Sequence, residues 1–202
     1  GAPLDSPSAA LPGVLPRHRV ELAPFLISKY ELTVAQAERM GSLPEEAAYQ
    51  RGDGAMPLRL GWEEARRLIA SCGLLHPTEA QWEYAALGGA SGTSPAAATP
   101  TVDAGGTGFA PVGGGDPNVF GLHDVFGNVS EWCRDWLILR GYASLPSRPG
   151  DGLKTTTLRG PGRVVRGALV AGDARADPYA RTLGHAAAAP TTGVRPVFPL
   201  AR

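Results

Sequence analysis

Few residues of this chain have the types and spacing that chemistry needs. There are two cysteines, Cys72 and Cys133, and four histidines, His18, His76, His123 and His185. A thiolate nucleophile needs a base or a cation beside it, and a soft-metal site needs several thiolates together. The two cysteines are far apart in sequence, and a secreted disulfide scaffold would carry more of them. They read as two buried, unbridged thiols. The histidines are scattered, with no pair at i, i+3 or i, i+4, the spacing that sets two imidazoles on one helix face. Nucleophile elbow, P-loop and zinc-protease motifs are all lacking. Arg51-Gly52-Asp53 spells an adhesion tripeptide, but three common loop residues recur by chance. The central stretch is GLHDVFGNVSEWCRDW, residues 121–136. There Gly121 and Gly127, with Asn118 just before, sit where tight turns are needed. Trp132 and Trp136, four apart, read as a packed helical or turn pair in the core.

The elements that must position these residues come next. With 202 residues, 43% of them hydrophobic, the chain is long enough to bury one substantial core. Its formal net charge of zero removes the electrostatic footprint of a nucleic-acid binder or of a protein drawn to an anionic membrane. No apolar run approaches the roughly 20 residues of a membrane span. No signal-peptide pattern is visible, and the compartment stays open. All but two of its basic residues are Arg, which fits a GC-rich genome given the abundant Ala, Gly and Pro.

Residues 1–18 read as a loosely ordered leader, and residues 19–202 as one domain. From Arg19, RVELAPFLISKYEL suggests two short strands or one bent strand. Thr33 and Gln36 have capping-box spacing, as do Thr78 and Gln81, so helices should start at both. A further helix covers WEEARRLIAS, residues 62–71. Trp82, Ala85 and Ala86 form the buried stripe of the third helix, which Gly88-Gly89 ends. Residues 89–117 and 140–162 read as loops. RVVRGAL (163–169) and GVRPVFPL (193–200) read as strands, so the terminal strands should meet in an α+β domain.

Several segments together resemble the formylglycine-generating-enzyme type of C-type lectin domain. They are KYELTVAQ (29–36), HPTEAQWEYAALGG (76–89) and PNVFGLHDVFGNVSEW (117–132), with weaker RVVRGALV (163–170) and GVRPV (193–197). The resemblance implies a C-type lectin fold with a small twisted antiparallel sheet, two or three helices and a large irregular fraction. It also implies what to look for in the site. Enzymes of this family use a cysteine pair near the C-terminus, and another branch uses three histidines for iron. The corresponding region here has no Cys, so a non-enzyme is expected. By position, the family's structural calcium would fall to the carboxylates of Asp124 and Glu131 and the carbonyls of Gly127 and Val129. A hard cation takes about 6–8 oxygens. The alternative is a turn in which both carboxylates accept backbone N–H groups. The family's second calcium site is degraded here: Gly108-Phe109 is kept, but the acidic residue before it is not. No other cofactor is expected.

The C-terminal stretch departs most from the pattern. Arg166, Gly167, Arg181, Gly193 and Arg195 stand as a skeleton, with seemingly arbitrary filling between them. That arrangement resembles the variable proteins of diversity-generating retroelements, whose C-terminal variable region is rewritten at adenines. Changing the first two bases of an AAC or AAT codon never yields Lys, Glu, Gln, Met or Trp, and residues 168–192 contain none of the five. Asn, which unmutated template codons would leave, is missing too. The resemblance implies a variable region over about residues 165–195. The candidate ligand-facing residues are Leu169, Val170, Ala171, Asp173, Asp177, Tyr179, Thr182, Leu183, His185 and Ala187. Tyr179 and His185 would be the anchors. Leu169 and Val170 read equally well as strand core. Arg166, Arg181 and Arg195 should brace the scaffold. The expected function is non-catalytic binding of a protein or other macromolecule. The alternatives are an enzyme of the formylglycine-generating or sulfoxide-synthase kind with a divergent site, and a structural accessory domain. A search of the gene's surroundings for a near-repeat of the DNA encoding residues 165–195 should find one beside a reverse transcriptase gene, differing almost only at adenines.

Overall fold

The computed structural model describes residues 18–41, 43, 45–52, 54–89, 109–138, 145–157, 159–167, 182–184 and 191–200. The leader up to residue 17, and most of the loop at 89–117, lie outside them.

Local sequence signals start two of the helices. At α1 (Val34–Arg39) the Thr33 hydroxyl accepts the Gln36 N–H at 3.2 Å, and the Gln36 side chain accepts the Thr33 N–H at 2.9 Å. The same reciprocal box opens α3 (Glu79–Ala86), with Thr78 and Gln81 at 3.1 and 3.0 Å. Each box satisfies backbone donors that a helix start leaves open. Between them, α2 (Trp62–Ala70) follows Gly61 without a side-chain cap; Glu63 and Glu64 in its first turn favour the helix dipole. It buries Ala65, Leu68 and Ile69. A 3₁₀ helix, Glu45–Gln50, lies in the stretch between α1 and α2, which reads as loop from its residues.

The strands form two sheets. In the smaller, β1 (Phe25–Ile27) pairs antiparallel with β6 (Val197–Pro199), so the terminal strands meet as expected. The larger has the order β4-β3-β2-β5, where β2 is Ser130–Trp136, β3 Arg163–Arg166, β4 Thr182–Gly184 and β5 Thr192–Gly193. Its β2–β3 and β3–β4 pairs are antiparallel, but β2 and β5 run parallel. The sheet is therefore mixed, not purely antiparallel. Trp132 and Trp136 lie on β2, not on a helix or turn. The register of β2 against β3 shifts between them, and a spacing of four fits one face of a strand as well as one of a helix.

Two apolar clusters fill the interior. One packs Val34, Ala37, Leu58, Ile69 and Val194 under α1 and α2. The other packs Trp82, Ala86, Phe126, Cys133 and Val164 between α3 and the larger sheet. Cys133 is buried as expected, but Cys72 is exposed; both thiols are free. Cys72 follows the C-cap of α2, where the chain turns outward.

Asn118 joins the loop before Gly121 to the end of α3. Its amide donates to the carbonyls of Ala85 and Ala86 at 2.7 and 3.1 Å, and its carbonyl accepts the N–H groups of Phe120 and Leu122. Gly121 in this loop has φ of +79°, a conformation natural to glycine. Asn118→Ala removes all four bonds and leaves the two terminal carbonyls of α3 without this partner. Urea denaturation should show a loss of about 1–3 kcal/mol with the m-value unchanged.

Candidate binding surface

The segment from 168 to 191 follows β3, contributes the edge strand β4 to the larger sheet, and ends just before β5. Those two points lie on opposite sides of one residue of β2: Glu131 is in register with Arg166 on one side and with Gly193 on the other. Each flank carries an arginine and a glycine with complementary demands.

On the outgoing flank, Arg166 is 1% exposed. Its guanidinium donates to Glu79 at 2.9 Å and to Glu83 at 3.0 Å, and lies 5.0 Å from the centre of the Trp82 ring. A buried guanidinium needs such partners, because desolvation of an unpaired charge costs several kcal/mol. Burial alone would lower its pKa, but Glu83 and Glu79 outweigh that and raise it. Gly167 follows with φ of +80°. A Cβ there would stand 3.1 Å from the Val125 carbonyl oxygen and 3.4 Å from Trp82.

The returning flank repeats the pair. A Cβ on Gly193 would meet Val129 Cγ2 at 2.8 Å and the Leu58 carbonyl oxygen at 3.2 Å. Arg195 is fully buried. It donates to both oxygens of Glu131 at 2.7–3.2 Å, and to the carbonyls of Ser28, Lys29 and His123 at 3.3, 2.7 and 2.7 Å. The second oxygen of Glu131 also accepts the Trp82 indole N–H at 2.6 Å. Glu31 stands behind this pair. One of its oxygens accepts the Asn128 amide at 3.2 Å, and the other lies 3.9 Å from Arg195. Burial pushes the Glu31 carboxyl up to about pH 8; Arg195 opposes the shift and Glu131 adds to it.

These contacts bear on the calcium expectation. Asp124, with φ of +58°, accepts the N–H groups of Gly113 at 2.5 Å and Gly115 at 2.8 Å. Both Glu131 oxygens are held by a guanidinium, which would repel a cation. A carboxylate so occupied does not fit calcium. Asp124 accepts backbone N–H groups as the turn reading has it, whereas Glu131 is held by the side chains of Arg195 and Trp82 and matches neither reading. Among the described residues, no group of three or more His, Cys, Asp or Glu side chains could hold a metal ion.

Of the candidate ligand-facing residues, Thr182 and Leu183 lie on β4, in register with Val165 and Val164 of β3. Leu169, Val170, Ala171, Asp173, Asp177, Tyr179, His185 and Ala187 lie outside the described residues, as does the bracing role expected of Arg181. The sequence singled out Arg166 and Arg195 but missed their partners Glu31, Glu79 and Glu83. A signal for two of these existed: Glu79 and Glu83, at i and i+4, stack on the α3 face that carries Trp82 and Ala86, where buried carboxylates call for a cation. His76 is buried against Trp62, with its Nε2 3.1 Å from the Trp62 carbonyl oxygen, and burial lowers its pKa to about 4. Burial also raises the Cys133 thiol well above its usual range, so it stays protonated.

Comparison with known proteins follows this geometry. The family model described as the sulfatase-modifying factor enzyme 1-like domain matches residues 5–198. The formylglycine-generating enzyme of Streptomyces coelicolor is 35% identical over 130 residues, 54% of this chain and 40% of that protein. The serine/threonine-protein kinase Pkn1 of Chlamydia trachomatis is 29% identical over 185 residues, 76% of this chain and 29% of that protein. The chain thus spans well under half the length of these curated relatives. Among solved structures, Treponema denticola variable protein 1 superposes with a TM-score of 0.66 at 23% identity, covering 93% of this chain and 88% of that one. CarF gives a TM-score of 0.60 at 19% identity, covering 89% and 88%. Both share the fold.

Arg195→Ala strands Glu131 as a buried, unpaired carboxylate and should cost about 3–5 kcal/mol in denaturant melts. A chelator should leave the melting temperature of the parent chain unchanged. Glu31 gives a pH signature. Its folded pKa, about 8, exceeds the ordinary 4.5, so its contribution to stability is complete below pH 4.5 and is lost as the pH rises to 8. In Glu31→Gln that loss should vanish, so the difference between variant and parent should grow across this window and level off above it.

Proposed function

The chain belongs to the sulfatase-modifying factor enzyme 1-like family, and we propose that within it this chain is a non-catalytic binding protein. Its C-terminal segment, residues 168–192, would display variable side chains on a rigid lectin-type scaffold and take a protein or other macromolecular ligand. Diversification by a retroelement would supply the variation. The observation that carries this reading is the pair of buried arginine anchors, Arg166 and Arg195, which bracket the segment and pair with Glu79, Glu83 and Glu131 outside it. Such a frame lets the filling change without altering what holds it, and rigid presentation reduces the entropy lost on binding.

The cysteines support the non-catalytic side of the proposal. No cysteine follows Cys133, so the bracketed segment has none. Cys133 is buried with its thiol protonated, so it lacks the thiolate that nucleophilic chemistry requires. The likeness to Treponema denticola variable protein 1 extends over nearly the whole chain and supports the scaffold half of the reading. Among the described residues, no helix is long and apolar enough to cross a membrane.

Two sets of variants separate frame from filling. Joint replacement of Asp173, Asp177, Tyr179 and His185 by Ser should move the unfolding free energy by only about 0.5 kcal/mol per site. Arg166→Ala or Gly167→Val should cost several-fold more. Equal losses from the two sets, read by thermal and urea melts, would remove the proposal, because the segment would then be ordinary core. Turnover of a cysteine-containing peptide by the purified chain would overturn its non-catalytic half.

A further inference from the structure

A cavity of about 440 Å³ lies between the β1–β6 sheet and the 148–151 turn, which joins the strand region at a bridge between Leu22 and Gly150. Phe25, Leu75, Val197 and Pro199 give it apolar walls. Arg134 of β2 and Arg148 of the turn also line it, and both donate to one carboxylate, that of Asp151. Arg134 reaches it at 2.5 Å and Arg148 Nε at 2.9 Å. Asp151 Oδ1 accepts the Leu153 N–H as well.

Two guanidiniums therefore share a single carboxylate. Asp135 lies nearby, but its oxygens accept the backbone N–H groups of Glu79 and Lys154, and it is not part of the cavity lining. Lys154, the other cation on this side, turns its amine to the Leu145 carbonyl. Arg134 Nε is buried and has no hydrogen-bond partner among the described residues. Burial holds the Arg134 guanidinium below its ordinary pKa, although Asp151 acts the other way. The cavity volume falls in the range of small-molecule sites, which are apolar with a few placed polar groups.

We propose that this cavity is a binding site for a small monocarboxylate with an apolar body. The carboxylate takes the second place beside Asp151, between the forks of Arg148 and Arg134, and the alkyl or aromatic portion lies against Phe25, Leu75 and Val197. Planar guanidinium matches planar carboxylate in paired N–H···O bonds. The site is independent of the C-terminal segment and of its proposed variability.

The test is titration of the whole chain with 4-methylpentanoate, its carboxamide and inorganic phosphate, followed by calorimetry and amide NMR. The carboxylate should bind and shift the resonances of Gly150 and the Gln81 side chain, both of which line the cavity. The carboxamide should not bind, and phosphate should bind at least about tenfold more weakly, because it gains nothing from the apolar walls. Arg148→Gln, at a half-exposed side chain, should weaken the carboxylate about tenfold or more. Asp151→Asn should tighten it severalfold by removing the competing anion. No binding of 4-methylpentanoate, equal binding of the carboxamide or phosphate, shifts elsewhere than this cavity, or an unchanged affinity in Arg148→Gln would each overturn the proposal. If Asp151→Asn unfolds, the Arg148→Gln arm decides alone.

Discussion

A guanidinium removed from water must be met by carboxylates and carbonyls, and Arg195 imposes that requirement at the centre of this molecule. Its partners come from every region around it: Glu131 on β2, the backbone before α1 at Ser28 and Lys29, and the loop at His123. Glu131 in turn holds the Trp82 indole, which ties α3 to the larger sheet. One ion pair therefore orients a helix, two loops and the parallel β5 strand. Replacing it with apolar side chains could keep the free energy. It would not keep the geometry, because only a fork of donors meets three separate chain segments at once.

The flanking glycines answer the opposite need. Arginine fills space and binds; Gly167 and Gly193 give way where backbone and Val129 press close. The motif turn between Asp124 and Val129 is fixed from both sides, by its own hydrogen bonds to the 110–115 loop and by the returning flank. That turn defines where the C-terminal segment starts and stops, even though it contributes none of the segment's side chains.

Much of the helical structure was legible in the sequence because its signals are local. The boxes at Thr33–Gln36 and Thr78–Gln81 span three residues, and each forms as its spacing implies. The meeting of terminal strands was legible from apolar patterning near both ends. The pairing of Arg195 with Glu131 was not, since the two stand 64 positions apart and nothing local marks Glu131 as the partner of a cation. The same carboxylate in the same turn suits calcium or a guanidinium equally well, and only the third dimension says which arrives. The strand character of residues 130–136 was hidden because a spacing of four, as between Trp132 and Trp136, suits one face of a strand as well as one face of a helix. The exposure of Cys72 was hidden because cysteine is usually buried.

The pairing of residues 25–27 with 197–199 joins positions that are almost the length of the chain apart. Contacts of such separation form late, since the closure entropy must be met before they contribute. Arg195 lies just ahead of β6, so Glu131 has no counter-ion until residues far from it in the chain have been made. A polypeptide whose reading frame is lost upstream of Arg195 lacks that guanidinium and cannot close its core, so an intact frame through the bracketed stretch is a condition of folding.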